Sequence, residues 1–225
     1  MVLAAGRGER MKPLTDTTPK PLLEVGGRPL IGYVLAALAA AGIHDVVVNV
    51  SWLGRQIRDA LGTGADYGVE ITYSDEGPVA LETGGGIFNA LPLLGPAPFL
   101  VVNGDLWTDF AFASLRLDDG ADARIVLVPN APHHPRGDFG LQGDSVVRSE
   151  SERYTYSGIG LYRPEFFAGS RSGRFQLLPL LLRAIDAGRL RGEVYRGTWI
   201  DIGTPERLAE IDARMRRSTP PPTGA

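Results

Sequence analysis

Three groups of residues in this chain have the types and spacing of a reacting centre. The first is Ala4-Ala5-Gly6-Arg7-Gly8-Glu9-Arg10-Met11, followed by Lys12-Pro13 and then Pro19-Lys20-Pro21. Glycines at 6 and 8 let successive backbone amides turn inward as an anion-binding nest, and Arg10 and Lys20 supply cations on two sides, so the stretch suits a polyphosphate. The second group is a pair of carboxylates. Asp105 ends the apolar run Phe99-Leu100-Val101-Val102-Asn103-Gly104, and Asp201 lies inside Thr198-Trp199-Ile200-Asp201-Ile202-Gly203-Thr204. Together they suit one hard cation, since magnesium takes one or two carboxylates and completes its shell with phosphate oxygens and water. Taken singly, each also suits a turn, Asp105 beside Gly104 and Asp201 just before a helix start at Thr204. The third group is Glu82-Thr83-Gly84-Gly85-Gly86-Ile87. Its glycines would let a flat nucleobase approach the backbone, or would simply make a flexible connection.

Two better-known phosphate motifs are absent. A dinucleotide fingerprint would place glycine where Met11 stands, and a P-loop would need Gly-Lys followed by serine or threonine. Lysine usage singles out the first stretch, because the only two lysines among 23 basic residues are Lys12 and Lys20.

Elements must carry these groups to one place. The apolar runs Met1 to Ala5, Val46 to Val50, Val69 to Tyr73, Phe99 to Asn103 and Ala123 to Val128 read as buried strands. A helix opens at Pro29 and stops at Gly42, and a second follows Ser51 as its N-cap. Such alternation predicts an α/β fold with a mostly parallel sheet covered on both faces, its ligands beyond the carboxyl ends of the strands. From about Gly137 shorter extended segments, Gly140 to Val147 and Thr155 to Tyr162, read as an acceptor-side insertion spanning about 137–163. Helices return at Gln176 to Ala187 and Thr204 to Arg216. We expect one domain over 1–217 and a mobile tail over 218–225, where prolines replace core-forming residues. No hexapeptide repeat follows, so no C-terminal β-helix is expected.

With 225 residues and 44% hydrophobic content the chain can bury one sizeable core. Its net charge of −3 removes the bulk electrostatic case for nucleic acid or an anionic membrane as partner. The absence of cysteine excludes disulfides, thiolate nucleophiles and the usual zinc sites. No secretory signal and no long apolar span is visible, so a soluble cytoplasmic protein is expected.

Residues 3 to 31, through Lys20-Pro21-Leu22-Leu23-Glu24-Val25-Gly26-Gly27-Arg28-Pro29-Leu30-Ile31, resemble the signature of the sugar-1-phosphate nucleotidyltransferases. The resemblance implies a Rossmann-like three-layer α/β/α fold and a magnesium-dependent enzyme that joins a nucleoside triphosphate to a sugar 1-phosphate. It implies that Ala4, Ala5, Gly6, Gly8, Arg10 and Lys20 hold the triphosphate, with Glu82, Gly84 and Asn103 completing the nucleotide site. It also implies that Asp105 and Asp201, the latter in a Trp-x-Asp-x-Gly-Thr segment, chelate the metal. Gly137, Asp138, Glu150 and Gly158 fall to the sugar phosphate.

Glu82 to Ile87 resembles uridylyl- and thymidylyl-transferring members more than guanylyl-transferring ones, which favours UTP, and Leu81 to Leu91, Val102 to Asp109, His133 to Phe139 and Tyr156 to Gly160 resemble a uridylyl-transferring branch that acts on a bacterial cell-wall sugar. By the same resemblance Asp138 would meet acceptor hydroxyls, while a histidine or Arg136 meets an anionic lactyl group. The paired histidines equally suit a solvated loop. Two departures stand out: the chain begins only two residues before Leu3-Ala4-Ala5-Gly6, and Glu150-Ser151-Glu152-Arg153 replaces a Glu-Lys-Pro, leaving Arg153 or another arginine to supply the acceptor-side cation. Transfer from UTP, dTTP or GTP to glucose 1-phosphate, N-acetylglucosamine 1-phosphate or mannose 1-phosphate, and a non-catalytic nucleotide-sugar sensor, are the competing readings. A glycosyltransferase would show Asp-x-Asp where Asp105-Leu106-Trp107 stands.

Overall fold

The computed structural model describes residues 1–132 and 134–218, with side chains to residue 216. His133 and the remainder of the expected tail, 219–225, lie outside the described residues. The elements in chain order are β1 (Val2–Leu3), β2 (Glu24–Val25), β3 (Arg28–Pro29), α1 (Leu30–Ala40), β4 (Asp45–Val50), α2 (Gly54–Leu61), β5 (Glu70–Asp75), α3 (Glu82–Leu94), β6 (Phe99–Asn103), β7 (Leu106–Thr108), β8 (Ala123–Val128), β9 (Gly140–Gln142), β10 (Ser145–Val147), β11 (Thr155–Tyr162), α4 (Leu178–Asp186), β12 (Leu190–Val194), β13 (Trp199–Asp201) and α5 (Pro205–Ser218).

Nine strands form one sheet in the order β5-β4-β1-β6-β11-β8-β12-β10-β9. Pairing is parallel from β5 through β6 and between β8 and β12. Only β11 and β10 run against the others, so the sheet is mixed but mostly parallel. The segments expected on the acceptor side become the β9–β10 hairpin at one edge and β11, which is paired on both sides within the sheet. β2 with β3 and β7 with β13 form two small separate ladders.

The period of two along each strand fills both faces. On β4, Val46, Val48 and Val50 join α1 and α2 in one core cluster, while Val47 joins α3 and α4 in the other. On β6, Leu100 and Val102 face the first cluster, and Phe99 and Val101 the second. The result is three layers, with the carboxyl ends of β1, β4, β5 and β6 side by side at one rim. A third cluster of Met11, Leu23, Val25, Leu30, Ile202 and Ile211 ties α5 and the residues after β13 to the N-terminal loop.

One expected helix start differs, and one segment offered as a connection is helical. Ser51 does not cap α2: its hydroxyl donates to Gly77 O at 2.8 Å, and the helix begins after Leu53 in a left-handed conformation. The glycines at 84–86 are not a connection before a helix. They lie within the first turns of α3.

Candidate functional site

At the rim, β1 empties into the loop that carries the first group of residues. Beside Gly6 the space a side chain would fill is open, with no heavy atom within 4 Å. Gly8 has φ 66°, and a Cβ there would meet Thr15 Cγ2 at 2.9 Å and Lys20 Cβ at 3.1 Å, so glycine is demanded by both conformation and packing. Thr15 returns a hydrogen bond to Gly8 O at 2.9 Å. Arg7 is turned away and lies over the Trp52 ring at 4.2 Å.

Lys20 is buried, and its ammonium pairs with the Asp105 carboxylate at the end of β6. A cavity of about 260 Å³ is lined by Ala4, Ala5, Gly6, Gly8 and Lys20 on one side and by Glu82, Asn103 and Asp105 on the other. Arg10 lies in an adjoining depression that shares Gly8 and Lys20 with this cavity and reaches Gly203.

Asp201 arrives from the far end of the chain. In the antiparallel pairing of β13 with β7 it stands opposite Leu106, the residue after Asp105. A Cβ on Gly203 would sit 3.2 Å from both Arg10 Nη1 and Asp201 Oδ2, so the guanidinium and the carboxylate flank that glycine. Asp109 fastens the ladder. Its carboxylate accepts from Thr198 N at 2.7 Å and from the Tyr195 hydroxyl, while Thr108 Oγ1 donates to Thr198 O at 2.8 Å. The Tyr195 hydroxyl, with Thr198, holds the Asp109 carboxyl below its usual range, and burial followed by this bond pushes Tyr195 up to about 12.

Asp105, in the turn between β6 and β7, and Asp201, on the strand paired with β7, suit a hard cation as oxygen donors, with Lys20 against the first and Arg10 near the second. Among the described residues no three acidic or histidine side chains cluster to hold a metal unaided. A magnesium ion here would complete its shell with substrate phosphate, as it does when bound with a triphosphate.

Glu82 opens α3 with φ 61°, and its carboxylate pairs with Arg174 at 2.7 Å. The glycines that follow are filled from within the protein. A Cβ on Gly84 would meet the Phe175 ring at 2.6 Å, one on Gly85 would meet Gly173 O at 2.3 Å, and one on Gly86 would meet Glu76 Oε1 at 2.3 Å. Close packing of the 173–176 segment and of Glu76 against α3 requires glycine at all three.

A second cavity, of about 430 Å³, shares Glu82, Thr83 and Asn103 with the first and extends to Asp138, Phe139, Tyr156 and Leu177. Asp138 accepts from His134 Nε2 at 3.0 Å and from Tyr156 N at 2.8 Å. Gly137, at φ 58°, fits beneath Asn130, whose amide bridges Pro135 O and Arg153 O. Gly158, at φ 79°, sits at the irregularity in β11, and a Cβ on it would lie 2.3 Å from Asn103 Nδ2, so this glycine seats the Asn103 side chain. Arg153, expected as the acceptor-side cation, donates to Asp138 O at 3.2 and 2.6 Å and thereby braces the loop. Glu150 is exposed and lines neither cavity. Arg136 is exposed as well.

The sequence reading omitted Asn49 and Glu76, which both line the first cavity. The signal for Asn49 is a polar residue closing the valine run Val46-Val47-Val48. For Glu76 it is a carboxylate directly after the strand.

Comparison with known proteins follows the same lines. The nucleotidyl transferase family model matches residues 1–155. An N-acetylmuramate alpha-1-phosphate uridylyltransferase of Neisseria meningitidis is 52% identical, over 95% of this chain and 96% of its own length. The protein of the same description from Caulobacter vibrioides is 37% identical over 96% of each. In fold, the chain superposes on a Bacillus anthracis protein provisionally assigned as a glucose-1-phosphate thymidylyltransferase, with a TM-score of 0.83, 22% identity, and coverage of 96% and 94%. It also superposes on HddC of Yersinia pseudotuberculosis complexed with GMP-PN, with a TM-score of 0.78 and 22% identity over 95% and 97%. With the family model matched over residues 1–155 and relatives 52% and 37% identical along nearly the whole chain, this protein belongs to the nucleotidyl transferase family.

Proposed function

We propose that the protein transfers the uridylyl group of UTP to N-acetylmuramic acid α-1-phosphate, giving UDP-N-acetylmuramic acid and pyrophosphate, in the cytoplasmic recycling of peptidoglycan sugars. The observation that carries the reading is the junction of the two cavities at Glu82, Thr83 and Asn103. The first is walled by the glycine loop and Lys20, as a triphosphate requires. The second opens directly from it, where an acceptor would present its phosphate. The relatives from N. meningitidis and C. vibrioides supply the identity of the base and the sugar.

A sugar phosphate oxygen attacks the α-phosphorus of UTP, the bond from that phosphorus to the bridging oxygen breaks, and pyrophosphate leaves with the electron pair. No proton needs removing from the nucleophile near neutral pH, so the enzyme's task is to bring two anions into line and to offset their charge. The amides after Ala4 and Ala5, around the open side of Gly6, bind the triphosphate. Arg10 and Lys20 counter the charge that moves toward pyrophosphate. Asp105 and Asp201 would hold magnesium, which would supply Lewis-acid charge withdrawal to the triphosphate. Asn103, seated by Gly158, orients the sugar nucleotide at the junction, and Asp138 with Gly137 forms the sugar wall. Glu150 is left without a role.

The test is pyrophosphate release with magnesium and UTP, comparing N-acetylmuramic acid 1-phosphate with N-acetylglucosamine 1-phosphate and glucose 1-phosphate, and with Asp105→Asn as control. Preference for the muramic acid substrate, abolished in the control, is expected. Preference for another sugar overturns the acceptor assignment, and no release with any triphosphate overturns the activity.

A further inference from the structure

We infer that Asn49 and Glu76 form a positioning clamp that fixes the distance between the phosphate loop and the opposite wall of the nucleotide cavity, and so sets the affinity for the nucleoside triphosphate. The inference rests on reading that cavity as the nucleotide site.

Asn49, on β4, is only 3% exposed. Its Oδ1 accepts from Ala4 N at 2.7 Å, and its Nδ2 donates to Glu76 Oε1 at 2.6 Å. The other carboxylate oxygen, Glu76 Oε2, accepts from Leu81 N at 2.6 Å. Three hydrogen bonds in series thus run from the first residue of the phosphate loop to the residue before α3. A backbone N–H only donates and a carboxylate only accepts, so this order fixes the orientation of the Asn49 amide.

Residue 86 completes the arrangement. A Cβ on Gly86 would lie 2.3 Å from Glu76 Oε1 and 2.9 Å from Asn49 Nδ2, so the clamp fits against α3 only with glycine there. The residue after Leu81 is Glu82, whose left-handed φ of 61° is costly for a side chain and persists only where neighbours hold it. The Leu81 bond is one such restraint and the Arg174 pair is another.

Asn49 and Glu76 lie between the Ala4–Gly6 wall and the Ala80–Thr83 wall of one cavity. A ligand touching both walls must match a separation the clamp sets, and one touching the phosphate loop alone need not. Loosening the clamp therefore weakens UTP while leaving the phosphate subsite intact.

The test exchanges the two functional groups. Asn49→Asp alone sets carboxylate against carboxylate, and Glu76→Gln alone forces one donor to face another. In the double variant the carboxylate at 49 accepts from Ala4 N and from the amide at 76, whose oxygen accepts from Leu81 N, with shape and net charge unchanged. Each single variant should raise KM for magnesium-UTP roughly tenfold, with KM for the sugar 1-phosphate unchanged, and the double variant should return to within about twofold of the parent. Competitive inhibition by inorganic tripolyphosphate should stay within about twofold of the parent in all three, since it engages one wall only. Unchanged KM for UTP in the single variants, a double variant no better than either single, or loss of tripolyphosphate affinity in step with UTP would each overturn the clamp. A parent protein that neither binds nor turns over UTP would instead overturn the assignment of the cavity.

Discussion

At the scale of single residues, the site is a set of charges held by glycines. Lys20 is buried against Asp105, so neither is a spectator that its neighbour can lose without consequence. Lysine here is a compact point charge buried against Asp105, and the planar fork of an arginine does not reproduce it. We predict that Lys20→Arg and Asp105→Asn each lower kcat by roughly 10²–10³, as expected for removing a preorganised charge from a transition state. The double variant should be little worse than the poorer single, because the two groups act as one unit. Steady-state kinetics on the four proteins decide it, and additive losses would mean that the pair does not act together. Gly158→Ala meets a different obstacle, a left-handed φ of 79° and the Asn103 amide 2.3 Å away. It should destabilise the fold by roughly 1–3 kcal/mol and raise KM for the acceptor, which thermal melts and kinetics together will show. The charged and glycine residues of the site were legible in the sequence because few structural duties require Gly-x-Gly followed by arginine and a lone pair of lysines. Asn49 was not, since one amide at the end of a valine run leaves the strand pattern intact and its partners lie 45 and 27 residues away.

Elements determine whether these charges meet. The three glycines of α3 were visible, but their purpose was not, because what fills the space beside them comes from residues 173–176 and from Glu76. Gly85 is the least forgiving of the three, facing at 2.3 Å a backbone oxygen that no side-chain rotation can move, while Gly85 N itself donates to Phe175 O at 3.0 Å. Gly85→Ala is therefore predicted to cost at least about 2 kcal/mol, in the range of overpacked cores, and denaturant unfolding measures it. The β7–β13 ladder makes a pH-dependent contribution. Asp109 has its carboxyl held below the ordinary value, first by the Tyr195 hydroxyl and then by Thr198. A folded-state value lowered in this way adds stability that is fully present above the unfolded value, near pH 4, and is lost as pH falls through the lowered one. Asp75 is shifted in the same direction by Gly77 N and then Arg58, Asp186 by Arg148, and Asp212 by Arg216 and then Gly26 N. Melting temperature should accordingly fall on acidification below about pH 4, and Asp109→Asn should shallow that fall while lowering stability at neutral pH. An unchanged acid limb would remove the ladder from the account. Start signals for helices misled where tertiary contacts won: Ser51 donates its hydroxyl to Gly77 O instead of capping α2.

For the whole molecule, the strands of the parallel half follow from their valine and leucine runs, as does their coverage on both faces. The reversal of β11 does not, since its alternation looks the same in either direction and only pairing with β6 and β8 reveals it. That reversal matters to function: it brings Gly158 beside Asn103 and puts Tyr156 and Asp138 at the rim next to the nucleotide cavity. It also means that both proposed subsites hang on one nine-stranded sheet, so residues 1–217 should unfold as a unit and a ligand at the rim should stabilise all of them. At a magnesium-UTP concentration of about 100 times Kd, linkage adds roughly 2.7 kcal/mol. For a chain of this length that is a rise of about 5–10 °C in melting temperature. Differential scanning calorimetry of the full chain should show one transition with matching calorimetric and van't Hoff enthalpies, moved upward by UTP with magnesium and much less by UTP with chelator. Asp105→Asn should retain the single transition and lose the magnesium-dependent part of the shift. Two separable transitions, only one of them moved by nucleotide, would instead divide the sheet's β9–β10 edge from the nucleotide half and overturn the expectation of a single cooperative domain.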